Sequence, residues 1–331
     1  MNTKLLKECI RLVDPVKDKD LPRFSHSKLE VYENCITRYD LQYNQKKRSN
    51  DTTLALESGT LTHKVLEEKG KMLLEGKRVD YDKLNDILQN GCTEDKEKIR
   101  GLKELKKAYF EEWYQADNAS GMTYDDKIKK FEKVLHTEME DDEWKPAYFE
   151  LPFEFVWRDK YVISGFIDRV DEKDGEYRVA DYKSSKKVFD TKKLPTAQQM
   201  GIYGCAILCM FGKLPKEYKY RFTLIDEEQY ALTKNWETRL IKKLDKVFDS
   251  IAESDRTGVY KPSPSPLCYY CPYCQNNPNA KEYSRECEYY SLWEPNNKTF
   301  AVNKQFEAND LNNNSNTTKL NTNNKERKLI F

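Results

Sequence analysis

The chain has 331 residues, enough to bury a core without disulfide staples. Charged residues make up 34% of it, and the longest apolar stretch, Met200 to Phe211, falls short of the roughly 18 residues a membrane span needs, which excludes a transmembrane helix. Net charge is +1, from 57 basic and 56 acidic residues, so recognition of nucleic acid by bulk charge is excluded and any such contact rests on local patches.

In chain order, MNTKLLKECIRLVDPVKDKD has a basic start but no apolar core or small-residue cleavage site. It does not read as a secretory signal, and a cytoplasmic location is expected. Residues 1–23 form an N-terminal extension. The first clear helix lies in FSHSKLEVYENCITRYDLQY, where Ser27 and Glu30 make a capping box and Leu29, Tyr32, Cys35, Ile36 and Tyr39 recur at helical spacing. Cys35 is expected on its apolar face. After a polar stretch, Lys46 to Thr53, a second helix in SGTLTHKVLEEKGKMLLEG places His63 early in the helix. Residues 81–144 are charged and helical in period, with LKELKKAYFEEWYQ and DDKIKKFEKVLHTEME as the best segments, and read as a helical insertion.

The period then becomes two. PAYFELPFEFVW, YVISGFIDRVDE and EYRVADYKS alternate apolar and polar residues and are rich in aromatic and β-branched types, as half-buried strands are. Asp174-Gly175 is a strong hairpin turn, because both central positions need positive φ. A basic loop, KSSKKVFDTKK, leads to an apolar helix from about Pro195 to Phe211, a strand in EYKYRFTLID, and a long helix from about Leu232 to Ser254. The pattern predicts a mixed α/β fold with a sheet backed by helices. Beyond residue 293 the tail is dominated by Asn, Lys and Thr and cannot offset its ordering entropy, so residues 294–331 are expected to be disordered.

Asp168 and Asp181 lie on either side of the Asp174-Gly175 turn, and antiparallel pairing brings such positions together. Two converging carboxylates repel unless a cation compensates, so the pair is either a hard-metal site or left in solvent. Lys183, two residues after Asp181, falls on the same strand face, where its ammonium would hold an attacking water or neutralise a phosphate. Nine cysteines without a signal peptide, four of them crowded at Cys268, Cys271, Cys274 and Cys287, point to metal or cluster ligation rather than to disulfides.

In this order the motifs resemble the RecB-like branch of the PD-(D/E)XK nuclease superfamily, and within it the iron-sulfur members such as the AddB nuclease domain and the CRISPR adaptation nucleases. Gly59, Thr60 and His63 match a G-T-x-x-H motif, Gly165 and Asp168 a G-x-x-D motif, Asp181 and Lys183 the D/E-x-K motif, and Gln199 and Tyr203 a following Q-x-x-x-Y motif. The resemblance spans about Phe24 to Cys287. It implies a restriction-endonuclease-like sheet in a nuclease domain of residues 24–293, with the insertion at about 81–144 and the cysteine cluster at 268–287 as additions.

The resemblance also implies roles. Asp168, Asp181 and the main-chain carbonyl of Tyr182 would hold Mg²⁺ or Mn²⁺, with His63 as a nitrogen ligand that suits Mn²⁺ better. Lys183 would position water, with Gln199 and Tyr203 orienting the lysine or a DNA phosphate. Related nucleases bind a 4Fe-4S cluster through one N-terminal and three C-terminal cysteines, which selects Cys35, Cys268, Cys271 and Cys287, with Cys274 as rival for the last place. The C-terminal spacing departs from the family's, and Ile36 stands where a proline is usual. Zinc held by the local thiolates is the alternative.

Lys183, Lys186, Lys187, Lys192 and Lys193, interleaved with Tyr182, Phe189 and Tyr203, suggest phosphate contacts and base stacking. The leading expectation is a metal-dependent DNA nuclease, an exonuclease on single-stranded DNA or duplex ends in recombination, repair or phage DNA processing. The alternatives are a non-catalytic nucleic-acid-binding or scaffold module with a structural metal, and a subunit of a helicase-nuclease complex. No phosphate-loop motif is present, so ATP-driven unwinding would fall to a helicase or recombination partner.

Overall fold

The computed structural model describes residues 3–47, 52–94, 96–109, 131–137, 139, 143–185, 187–232, 234–263, 265, 268, 271–274, 287, 293–294 and 299–300. In chain order the elements are α1 (Thr3–Lys7), β1 (Ile10–Leu12), β2 (Arg23–Phe24), α2 (His26–Asn34), α3 (Ile36–Tyr39), α4 (Leu54–Leu74), α5 (Tyr81–Asn90), β3 (Gly91–Glu94), β4 (Glu97–Arg100) and α6 (Leu102–Ala108). There follow β5 (Lys145–Trp157), β6 (Tyr161–Lys173), β7 (Glu176–Lys183), α7 (Gln198–Phe211), β8 (Glu217–Phe222), β9 (Glu227–Tyr230), α8 (Trp236–Thr257), β10 (Trp293–Glu294) and β11 (Thr299–Phe300). No helix among the described residues is long and apolar enough to cross a membrane. The chain divides into two compact units, Met1–His26 with Thr52–Lys246, and Ser27–Asp51 with Val247–Phe331.

The first unit is built on a mixed, mostly antiparallel sheet in the order β1-β5-β6-β7-β8-β9, with β2 paired in parallel to β6. The β6–β7 hairpin closes through Asp174 (φ 51°) and Gly175 (φ 74°), the turn whose twist matches its strands. That turn sets the register, Lys173 opposite Glu176 and Arg169 opposite Ala180, and carries Asp168 and Asp181 just past the end of the ladder. β8 joins β7 in parallel, with α7 as the crossover between them. α7 is buried almost all round, and Gly204 allows this: a Cβ there would stand 2.7 Å from the Tyr218 hydroxyl. Phe155, Trp157, Ile163, Ile167, Val170 and Val179 fill the sheet's core.

A second apolar cluster joins α4, α5 and α6 through Leu61, Val65, Leu66, Leu84, Leu88 and Leu105, and reaches the sheet at Tyr182. Below it Asp171, fully buried, pairs with Arg169 and Arg178, and Arg169 also donates to the Met139 carbonyl and the Tyr182 hydroxyl. Each buried charge is thus compensated, and the pairs lock the β6 and β7 backbones that carry the two aspartates.

The insertion is not uniformly helical. α5 and α6 flank the β3–β4 hairpin, because Gly91, at φ 78°, ends α5 and turns the chain so tightly that a Cβ would stand 2.1 Å from the Ile99 carbonyl oxygen. Residues 110–130 of the insertion and 301–331 of the tail lie outside the described residues.

In the second unit the single expected helix is broken. α2 ends at Asn34, and Cys35 is extended (φ −161°, ψ 114°) and serves as N-cap of α3. The break is held by packing: Tyr32 and Tyr39 meet edge to face at 5.1 Å, the Tyr32 hydroxyl lies 2.8 and 3.0 Å from the hydroxyls of Ser250 and Ser254, and Thr37 donates to the Tyr260 carbonyl. Cys35 therefore stands at the junction of the two helices, its N–H still donating to the Val31 carbonyl and its own carbonyl accepting the Tyr39 N–H.

Candidate active site

Asp168 and Asp181 are the focus of the first unit. Both are buried, and Asp168 accepts the Tyr182 N–H at 2.7 Å, which ties the end of β6 to the end of β7. Burial and the neighbouring Asp181 carboxylate push Asp168 up to about 7, because two anions are held near each other away from water.

His63 lies midway along α4, not early in it, since the helix begins at Leu54 under the Thr53 cap. Its Nδ1 stands 3.6 Å from Asp168 and 3.9 Å from Glu150. Burial alone would lower its pKa, but Asp168, Glu150 and Asp181 outweigh that and raise it to about 9. His63, Glu150 and Asp168 present donor atoms within 4.8 Å of one another, the one such group of three among the described residues.

Glu150 was not expected from the sequence. β5 and β6 shift register between Pro146 and Tyr148, and Glu150 itself is left-handed at φ 45°. Simple alternation along YFELPFEF therefore loses its parity just before the acid. An acid inside a strand that pairs with the one bearing Asp168 is the signal that could have found it.

The second set of predicted residues closes a ring. Lys183 Nζ lies 2.6 Å from an Asp181 oxygen and donates to Gln199 Oε1 at 3.1 Å; Gln199 Nε2 donates to the Tyr203 hydroxyl at 2.9 Å; that hydroxyl donates to the other Asp181 oxygen at 3.2 Å. Residues i and i+4 of α7 thus meet residues i and i+2 of β7. The arrangement fixes the ammonium of Lys183, which is partly open to solvent, while Asp181 is buried.

Other expectations divide. Lys187, Lys192 and Lys193 are exposed, and Lys186 lies outside the described residues. The aromatic residues beside them do not stand ready to stack on bases: Tyr182 and Tyr203 are buried, and Phe189 packs edge to face on Tyr220 and Phe222. His26, also unforeseen, is half-buried at the start of α2, and burial and the charge of Lys183 hold it neutral, down to about 4.

The second unit gathers the other candidate donors. Burial raises the Cys268 and Cys271 thiols, Cys271 to about 11, and Cys35 and Cys274 lie near enough to Cys268 to oppose its ionisation further. Cys271 donates its N–H to the Cys268 carbonyl, Cys274 to Cys271, and Cys287 to Tyr273. The buried Nε of Arg38 has no hydrogen-bond partner, and its charge is felt at Cys271. Cys205 is fully buried in α7 as a small apolar residue.

The sequence matches the PD-(D/E)XK nuclease superfamily over residues 23–275. No curated protein matches the chain. Among solved structures it is similar to one described as "Crystal structure of SSO0001", at 15% identity and a TM-score of 0.24, with 65% of this chain and 94% of that chain covered. The family match runs from β2 through the first three cysteines of the C-terminal group and takes in both aspartates, Lys183, Gln199 and Tyr203, and on that match the chain belongs to the PD-(D/E)XK nuclease superfamily.

Proposed function

We propose that this protein is a metal-dependent deoxyribonuclease acting as an exonuclease on single-stranded DNA or duplex ends, in recombination, repair or phage DNA processing. The observation that carries the reading is the meeting of the His63, Glu150 and Asp168 donors with the closed ring of Asp181, Lys183, Gln199 and Tyr203, all tied to the end of one hairpin. A carboxyl held at about 7 by burial and a second carboxylate is a site whose charge a cation would balance.

His63, Glu150, Asp168, Asp181 and the Tyr182 carbonyl would hold Mg²⁺ or Mn²⁺, and the mixed nitrogen and oxygen donors favour Mn²⁺. The ion supplies a water of lowered pKa and stabilises charge on the phosphate. Lys183, fixed by Asp181 and Gln199, orients the attacking water with a proton donor that needs no reorganisation. Tyr203 acts through Gln199 and Asp181 as a positioning residue. The exposed Lys187, Lys192 and Lys193, with Lys186, hold the DNA backbone.

The same reading includes a 4Fe-4S cluster bound by Cys35, Cys268, Cys271 and either Cys287 or Cys274. It is supported by a donor set of thiols and by the buried Arg38 nitrogen without a partner, a cation placed to balance an anionic thiolate cluster. Its role is structural, since it would join the α2–α3 turn to a loop more than two hundred residues later.

End-labelled single- and double-stranded DNA incubated with Mg²⁺, Mn²⁺ or Ca²⁺ tests the activity. Mn²⁺-dependent release of labelled ends is expected, with a loss of about 10²- to 10³-fold in Lys183→Ala. An unchanged rate in that variant would overturn the assignment. Iron and sulfide analysis of anaerobically purified protein tests the cluster, and stoichiometric zinc without iron would replace it with a zinc site.

A further inference from the structure

Tyr182, Phe189 and Tyr203 pack into the fold, but Phe166 does not. It lies on β6, two residues before Asp168, and 59% of it is exposed, whereas Phe24, Phe153, Phe155 and Phe222 are at most 5% exposed. Two residues along a strand span about 7 Å, the scale of a single nucleotide. A lone exposed apolar side chain on a surface helix would need no explanation. An exposed phenylalanine in a central sheet, beside a buried metal-ligand candidate, does.

The surroundings favour a flat neutral partner. Phe166 is paired across the ladder with Pro152, also exposed, and the next pair but one is Ser164 with Glu154. Glu154 is neutralised by Arg23. The β6–β7 ladder begins only at Arg169, so Phe166 lies beyond the stretch where β6 pairs with β7. The strip beside Asp168 thus carries an aromatic face and a proline ring, with its acid paired, which suits a nucleobase face and not a phosphate.

We propose that Phe166 is the stacking platform for the nucleobase next to the scissile phosphate, and that the site thereby prefers an unpaired base, that is, a single-stranded end. The proposal rests on the nuclease reading of the neighbouring aspartates. A base still paired in a duplex has its faces covered by its neighbours, so it reaches such a platform only after unstacking. Phe166 touches no reacting atom and acts as a specificity-determining residue.

The test is a cycle on the full-length protein with Ca²⁺ in place of Mn²⁺, reading dissociation constants by fluorescence anisotropy. One fluorescent single-stranded oligonucleotide has normal ends, and a second has abasic residues at its ends. Phe166→Ala is expected to weaken binding of the first by about 5- to 150-fold, the range for loss of one stacked base, and binding of the second by less than twofold, with Phe166→Trp restoring the normal affinity. Equal losses on both oligonucleotides, no loss on either, or no binding by the unaltered protein would overturn the proposal. Cleavage by the unaltered protein with Mn²⁺ is measured in parallel. A protein that passes the binding cycle yet cuts nothing contradicts the nuclease reading and leaves the stacking assignment standing.

Discussion

Asp168 shows most clearly what this site asks of single residues. Its carboxyl is raised from its ordinary value to about 7, so the folded protein binds that proton more tightly than the unfolded chain does. The stability it contributes is present below about pH 4 and is lost as pH rises through about 7. Protonated His63, raised to about 9, has the same sign: its stabilisation is full below about pH 6.5 and lost as pH rises through about 9. Asp168→Asn keeps an acceptor for the Tyr182 N–H and removes the charge. Without added metal it should melt above the unaltered protein at pH 8, by several degrees, with the gap shrinking toward pH 4; a lower melting temperature at pH 8 would contradict this account of the burial. Glu150→Gln should weaken Mn²⁺ binding by about 10- to 100-fold, measured by calorimetry. That Asp168, Asp181 and Lys183 come together was legible because the hairpin turn and the strand period fix which side chains share a face, whereas Gln199 and Tyr203 were reached through the motif of the family the sequence resembles. Glu150 was hidden because a register shift and a left-handed residue break that period, and Phe189 was misjudged because it folds back onto β8.

At the scale of elements, α4 must lie against β5 for His63 to reach Asp168. Gly70 permits the approach, since a Cβ there would stand 2.4 Å from the Phe149 ring. Alanine gains about 1 kcal/mol in an exposed helix, but a rigid ring cannot yield by more than an ångström without moving its strand. Gly70→Ala should therefore destabilise the protein by about 1–3 kcal/mol, read as a lowered denaturant midpoint, and a raised midpoint would show that α4 is not seated there. The β6–β7 hairpin was readable from Asp174-Gly175 alone. The β3–β4 hairpin was not, because Thr93, Glu94, Lys96 and Glu97 carry no alternation of polarity and the open end of the hairpin depends on how closely Gly91 approaches the Ile99 carbonyl. The break at Cys35 was equally hidden: the apolar spacing continues through it, and tertiary contacts of Tyr32, Tyr39 and Thr37 stop the helix.

At the scale of the whole molecule, the near-neutral net charge leaves DNA affinity to local lysines, so binding should weaken with added salt by a slope that counts only a few phosphate contacts. Replacing Cys35 by serine should lower iron content and melting temperature together, whereas Cys205→Ser should leave iron unchanged. The central claim is that one hairpin of the first unit grips a divalent ion beside Lys183, and equilibrium Mn²⁺ binding followed by electron paramagnetic resonance tests it most directly. The unaltered protein should take up Mn²⁺ at this site, and Asp168→Asn and Asp181→Asn should each weaken that uptake by at least about 100-fold. Undiminished Mn²⁺ affinity in both variants would contradict the account.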